Sequence, residues 1–291
     1  MKRTMGESLF NVVNKIFLTG LVIITLYPFL YIVFASLSDP DQLVRAGGFL
    51  LKPEGFSLNG YKAVFENKDI FIGYGNTLLY VLAGTTLSVI TTALLAYPLS
   101  RRELMLGKGM MLLILFTMFF NGGMIPGYLV VKGIGLLNSR WAVILTSLLS
   151  TYNLIVMRTA FSSIPDSLVE SAKIDGANDF VILFRIVLPL TGATLAVMVL
   201  FYGVAQWNSW FNAMLYLTDR SKFPLQLILR EILIDSSMQD MSMGADVVGK
   251  ANLEEVIKYA TIVVATVPIL CVYPFIQKYF VNGVMIGAVK G

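Results

Sequence analysis

Apolar positions in this 291-residue chain fall into long unbroken runs rather than the short alternations of a soluble core. No charge occurs between Lys15 and Asp39, and 14 residues from Ile16 to Leu37 are Ile, Leu, Val or Phe. At roughly 0.3–0.6 kcal/mol each, they favour bilayer insertion by about 6 kcal/mol, about twice the cost of one Lys or Arg at mid-membrane. The run is too long for a signal-peptide core and no small-residue cleavage pattern follows it, so it reads as a retained first span. Uncharged stretches recur at Phe71–Ser100, Gly109–Val131, Trp141–Met157, Ile186–Thr218 and Tyr259–Gln277, making six candidate spans. An even number puts both termini on one side.

Three of these stretches carry signs of irregularity. Asn121, Gly122, Gly123 and Pro126 interrupt the third, where the helix is expected to end near Phe120 and give way to irregular backbone. The fourth has 17 residues, just enough for a single helix to cross about 30 Å of hydrocarbon if its ends snorkel. The fifth is longer than a straight span needs, so it must tilt, leave the bilayer or break.

Composition supports the membrane class. Hydrophobic residues make up 56% of the chain and charged residues 14%, about half the charged share of soluble domains. The net charge of +4 comes from Lys and Arg scattered through short loops, which speaks against a nucleic-acid surface. There is no His, and the lone Cys271 lies in an apolar run, where it reads as a packing residue. No charge lies within any of the six stretches, so the ion-coupling group of a secondary transporter is missing from them. Lys and Arg divide 11 to 11 between the two sides. The side holding the termini has the shorter loops, including the Arg101, Arg102 and Lys108 cluster, which favours cytoplasmic termini.

The segment joining the fourth and fifth stretches is the most informative. Pro165 suits a first helical turn, Asp166 complements the helix dipole, and Gly176 suits the residue just past the helix end. Asn178 or Asp179 can cap a second short helix, with Phe180, Leu183, Phe184 and Val187 spaced along one apolar face before Pro189. By chemistry alone this describes either two helices meeting at a glycine corner or an amphipathic linker lying on the headgroups.

The order Glu170, Ser171, Ala172, Asp175, Gly176, Ala177, then Ile186, Leu188 and Pro189, resembles the EAA motif of ATP-binding-cassette (ABC) importer permeases, with Ser171 in place of an Ala. The resemblance extends over nearly the whole chain and is nearest to the second permease of maltose-type sugar importers. Supporting segments are Asn76-Thr77-Leu78, Pro126 to Leu137 with Asn138 to Trp141, and Gln206 to Trp210. The tail from Phe280 to Gly291 is similar to permeases for oligosaccharides released from pectin- and alginate-type polysaccharides. The resemblance implies an all-α integral membrane protein of six transmembrane helices, forming one permease domain over residues 1–291 with a core of about 71–280. It also implies a cytoplasmic coupling helix around Glu170 and Gly176 that docks on the ATPase. In that role Ala172 and Ala177 would allow a close approach, Glu170 would offer an acceptor, and Asp175 would serve either the turn or the contact.

The implied partners are a second homologous permease, two ATPase subunits or domains, an extracytoplasmic solute-binding protein, and membrane lipid. This chain is expected to bind no cofactor; ATP and Mg belong to the ATPase, since no phosphate-cradling Gly-rich loop occurs here. The expected location is a bacterial cell membrane. Tyr202, Gln206, Trp207, Asn208 and Trp210 combine aromatic faces with amides, as a sugar path requires, although an aromatic belt at the outer interface would draw on the same residues. Asn76 and Asn121 read as packing or loop residues. A membrane-embedded hydrolase fits poorly, for want of His, a Gly-x-Ser-x-Gly elbow or an acid within a span.

Overall fold

The computed structural model describes residues 5–101, 103–242 and 248–288. Arg102, counted in the basic cluster, and residues 289–291 of the tail lie outside the described residues. Every regular element among the described residues is helical. The chain divides into two compact units, one made of residues up to Ile70 together with Leu229–Val267, the other of Phe71–Ile228 together with the residues from Pro268 onward.

The first unit is led by α1, Met5–Ser36. Its Leu9–Ser36 portion is long and apolar enough to cross a membrane, and none of its most apolar window is buried against the chain. Such a helix finds its solvent in lipid. The short helix α2, Pro40–Arg45, is capped by Asp39, whose carboxylate accepts from the amides of Asp41 and Gln42. Helix α3, Asn59–Glu66, passes close to Val256. A Cβ on Gly60 would lie 2.8 Å from Val256 Cγ1 and 3.2 Å from its carbonyl oxygen, so glycine is what permits this approach. Ala35, Leu43, Leu50 and Val256 form the core beneath.

The second unit is organised along α4, Lys68–Ser100, whose 33 residues reach about 50 Å at the helical rise. It meets the length and apolarity of a span as one continuous helix. The next three stretches are all broken. Helices α5, Gly107–Phe119, and α6, Met124–Gly133, meet at 114°. The break falls at Phe120–Gly123, where Asn121 Oδ1 accepts from the Gly123 amide and Gly123 adopts φ +89°, as the Asn-Gly-Gly sequence foretold.

The fourth stretch departs from expectation. Instead of one helix it forms α7, Arg140–Thr146, and α8, Thr151–Ser162, bent by 54°. No Gly or Pro marks the place. Thr146 Oγ1 and Ser147 Oγ donate back to the carbonyls of Ala142 and Val143, and Ser150 Oγ accepts from the Asn153 amide to start the next helix. Hydroxyl side chains thus take over backbone groups at the ends of both helices. The fifth stretch breaks, one of the outcomes its length allowed: residues Asp179–Leu190 meet α12, Gly192–Trp207, at 88°, and α13, Phe211–Tyr216, follows after a second interruption. Helix α14, Leu225–Ser242, comes next, and the sixth stretch lies within α15, Val248–Ala288. Cys271, on α15, is exposed rather than packed within the chain.

One end of this unit is tied by polar bonds. Asn76 Nδ2 donates to the carbonyls of Ser221 and Phe223 at 2.8 and 3.0 Å, while its Oδ1 accepts from Arg140 Nη2 at 3.0 Å. Tyr80 Oη donates to the Lys222 carbonyl, Thr77 Oγ1 accepts from the Leu225 amide, and Lys222 Nζ reaches the Asn138 carbonyl. Asn138, at φ +57°, accepts the amides of Thr218 and Asp219 on its side chain. Asn76 is therefore a packing residue, as expected from sequence.

Replacing Asn76 with Ala should leave the two part-buried carbonyl bonds and the Arg140 bond unmade. We expect a loss of about 1–3 kcal/mol, read as a lower unfolding midpoint of the purified protein in detergent, with Asn76→Asp intermediate because it keeps the acceptor for Arg140.

Candidate functional site

Helix α9, Asp166–Ile174, begins one residue later than the sequence suggested, with Pro165 as its N-cap and Asp166 in the first turn. It ends in a Schellman arrangement. The Ala177 amide donates to the Ala172 carbonyl at 2.9 Å, the Gly176 amide donates to the Lys173 carbonyl at 3.0 Å, and Gly176 takes φ +82°. Asn178, not Asp179, then caps α10, Asp179–Ile182, by accepting from the Val181 amide. Asp179 Oδ1 instead accepts from Tyr97 Oη at 3.1 Å, which holds the corner against the end of α4.

Beyond α10 lies a π turn, Leu183–Val187, and then α11, Leu188–Leu190. Pro189 lacks the amide an α-helix would use, and the widened turn before it is one way for a helix to take up that loss. Thr191 Oγ1 donates to the Val187 carbonyl at the bend. The predicted apolar face is corrected here: Ile182, Leu183 and Val187 are buried, whereas Phe180 and Phe184 are exposed. Phe180 and Phe184 stand one turn apart on the stripe beside Leu183 and Val187, and the chain leaves that stripe exposed.

Ala172 is buried and Ala177 half-buried in the chain's own core, alongside Val169, Phe161 and Ile164. Within the chain, the close approach these small residues allow is to its own core. Glu170, Ser171, Asp175 and Gly176 face outward, as does Pro189. Ile174 was not singled out in the sequence, yet it is 86% exposed beside them, with Leu168 and Phe180 also exposed. An isoleucine standing on the polar side of a short amphipathic helix is the signal that would have found it. Lys173 Nζ pairs with Glu103 at 2.8 Å, and that carboxylate holds its ammonium above the ordinary lysine range.

The aromatic and amide residues of the fifth stretch are separated by the fold. Tyr202, Gln206 and Trp207 are buried along α12, where they face α4 and the α7–α8 bend. Tyr202 Oη lies 2.7 Å from Thr92 Oγ1 and accepts from the Ser150 amide at 3.2 Å. Gln206 Nε2 donates to Ser147 Oγ at 2.9 Å. Its Oε1, together with Trp207 Nε1, Thr85 Oγ1 and Ser88 Oγ, is buried without a hydrogen-bond partner among the described residues. Trp207 packs edge-on to Tyr74 at 6.3 Å. Asn208 is exposed and bonded back to the Val204 carbonyl, and Trp210 packs beside Phe211 near the core of Tyr80 and Val143. Buried polar atoms left unpaired among apolar helices are costly and mark a place where bonding can change. Among the described residues no cluster of His, Cys, Asp or Glu could hold a metal ion.

Residues 83–286 match the family described as binding-protein-dependent transport system inner membrane component. The chain is 44% identical over 287 residues, 99% of its length and 100% of the other's, to the polygalacturonan/rhamnogalacturonan transport system permease protein YtcP of Bacillus subtilis (strain 168). It is 41% identical over 292 residues to protein LplC of the same organism, covering 100% of this chain and 98% of that one. A solved structure, that of a bacterial ABC transporter involved in the import of the acidic polysaccharide alginate, superposes with TM-score 0.87 at 32% identity, covering 96% of this chain and 99% of that one. The chain belongs to this family of inner membrane components and so is a non-catalytic permease subunit of a binding-protein-dependent ABC importer.

The α4–α12 contact supplies a test of packing. A Cβ on Gly84 would sit 2.6 Å from Gln206 Nε2. Gly84→Ala should cost about 1–3 kcal/mol, and in a Gln206→Ala background the same change should be nearly neutral. A double-mutant cycle on detergent unfolding midpoints reads the coupling.

Proposed function

We propose that this chain is one of two permeases in an ABC importer that carries oligosaccharides released from acidic polysaccharides, pectin- or alginate-derived, into a bacterial cell. The observation that carries the coupling assignment is the α9–α10 corner, whose Schellman turn presents Glu170, Ile174 and Asp175 outward while Ala172 anchors it inside. In this reading the corner docks on an ATPase subunit and passes nucleotide-driven movement into α12 through the π turn. ATP and Mg are held by that subunit, of which the importer has two or two fused domains. A second homologous permease and an extracytoplasmic solute-binding protein complete the assembly. The whole chain acts as a single permease domain. The substrate class follows from the similarity to YtcP and to the alginate importer.

Six spans and cytoplasmic termini go with this reading. Bonds that gather the corner, the end of α4 and the loop after it on one side support it: Tyr97 to Asp179, Arg158 Nε to the Leu99 carbonyl, and Lys173 to Glu103. The opposite end of α4 carries the Asn76 cluster. Along the path between, Tyr202, Gln206 and Trp207 shape the seam, and Asn208 and Trp210 stand at its far end.

Two measurements test the reading. In a Cys271→Ala background, a cysteine at Ser57 should react with a membrane-impermeant thiol reagent from outside and one at Ser167 should not; outside labelling of Ser167 reverses the orientation. For coupling, Glu170→Ala should weaken ATPase docking by roughly thirtyfold, as loss of a ~2 kcal/mol interfacial contact does. Gly176 has open space around its would-be Cβ, so only its positive φ is at stake. Gly176→Asn should therefore keep ATP-driven sugar uptake and Gly176→Val should lose it. Full uptake in both Glu170→Ala and Gly176→Val would remove the coupling assignment.

A further inference from the structure

A cavity of about 530 Å³ opens where the bend between α5 and α6 meets α13 and the end of α7. Small-molecule sites run from about 300 to 1,000 Å³, against ~30 Å³ for one water. Its walls combine two amides, Asn121 and Asn212, and the hydroxyl of Thr146 with the rings of Phe211 and Tyr216. Among the described residues, none that lines it is charged.

The polar groups are held in place. Asn212 Nδ2 donates to Thr146 Oγ1 at 3.1 Å, and that hydroxyl donates to the Ala142 carbonyl at 2.7 Å, which ties down the amino end of the amide and leaves Oδ1 as the acceptor it can offer. Asn121 uses Oδ1 for the Gly123 amide at 2.9 Å, which leaves its amino group as a donor. The buried Tyr216 ring stacks on Tyr128, 6.4 Å between centroids and 12° apart, so it forms a rigid platform. A fixed acceptor, a fixed donor and an aromatic face suit a sugar ring, which offers hydroxyls at its edge and C–H groups on its face. An ion or an isolated carboxylate would find no counter-charge.

We propose that this cavity is a sugar subsite that takes an uncharged, hydroxyl-bearing face of one residue of the transported oligosaccharide. A uronate fits only with its carboxylate directed out of the cavity, so the site reads ring hydroxyls and leaves acidity to be read elsewhere. This inference rests on the oligosaccharide-import reading, and adds residues that lie apart from the Tyr202–Gln206 seam. Gly127 offers an independent handle. It lies in the lining, and a Cβ there would have Tyr216 Oη as its nearest atom at 3.8 Å, an ordinary contact, so Gly127→Leu fills the space with little disturbance of the backbone.

The experiment uses the complete importer in liposomes, with its ATPase and binding protein. Uptake of galacturonate, mannuronate and neutral galactose trimers is followed beside ATP hydrolysis stimulated by the binding protein. Asn212→Ala and Gly127→Leu should each lower uptake of the transported trimer by about tenfold while stimulated ATP hydrolysis stays within about twofold of the unaltered importer. Unchanged uptake in both variants overturns the subsite, and so does a parallel fall of uptake and hydrolysis, which is the mark of a merely structural role. If the unaltered importer takes up none of the trimers, the import reading fails and the subsite with it. That outcome is distinct from normal uptake that is insensitive to both substitutions.

Discussion

Every polar group that a bent helix releases inside lipid must find a partner within the protein, and the second unit is arranged around that requirement. Three of its apolar stretches are broken, at 114°, 54° and 88°. At each break a side chain stands in for backbone: Asn121 at the first, Thr146, Ser147 and Ser150 at the second, Thr191 at the third. The bends let one short stretch of chain both cross an apolar layer and line a space, which a bundle of straight helices of the same length cannot do. Helix α4 provides the fixed reference, held by the Asn76 cluster at one end and by Tyr97 and the Leu99 carbonyl at the other.

The stretches themselves were legible because uncharged apolar runs of membrane length are foreign to folds that face water. The break near Phe120 was readable from Asn-Gly-Gly, whereas the excess length of the fifth stretch left tilt, exit from the bilayer and a break equally open. The corner was readable too, since Gly176 and Asn178 are residues whose backbone preferences point to one use. The bend at 147–150 was not, because Ser and Thr break a helix only when their hydroxyls turn onto nearby carbonyls, and sequence does not show which way they turn. Phe180 and Phe184 were grouped with Leu183 and Val187 because all four are apolar, yet the two pairs stand on neighbouring stripes and only one of them meets the core. That Ala172 packs on Val169 and Phe161 was not readable either, since the neighbours that cover it come from the fold.

The candidate sugar path shows a similar limit. Sequence grouped Tyr202, Gln206, Trp207, Asn208 and Trp210 by nearness along the chain, but helical rotation and the interruption after Trp207 send them in different directions. Three enter the contact with α4, and two remain near the end of the helix. Asn212 and Thr146 come together only because α13 folds back against α7, a long-range fact that nothing near either residue announces.

The π turn at Leu183–Val187 has a further meaning for how such chains can vary. It behaves as a single-residue insertion within the run from α10 to α11, and each residue in an α-helix advances the side chains by about 100°. Deleting one residue there would restore ordinary winding, and because the widened turn had absorbed that residue, Tyr202 and Gln206 would keep facing Thr92 and Ser147. The same deletion within α12 before Tyr202 has no widened turn to absorb it and would rotate both side chains out of the seam. The π turn is thus the one place described between the corner and the seam where a residue can be lost without changing which side chains meet.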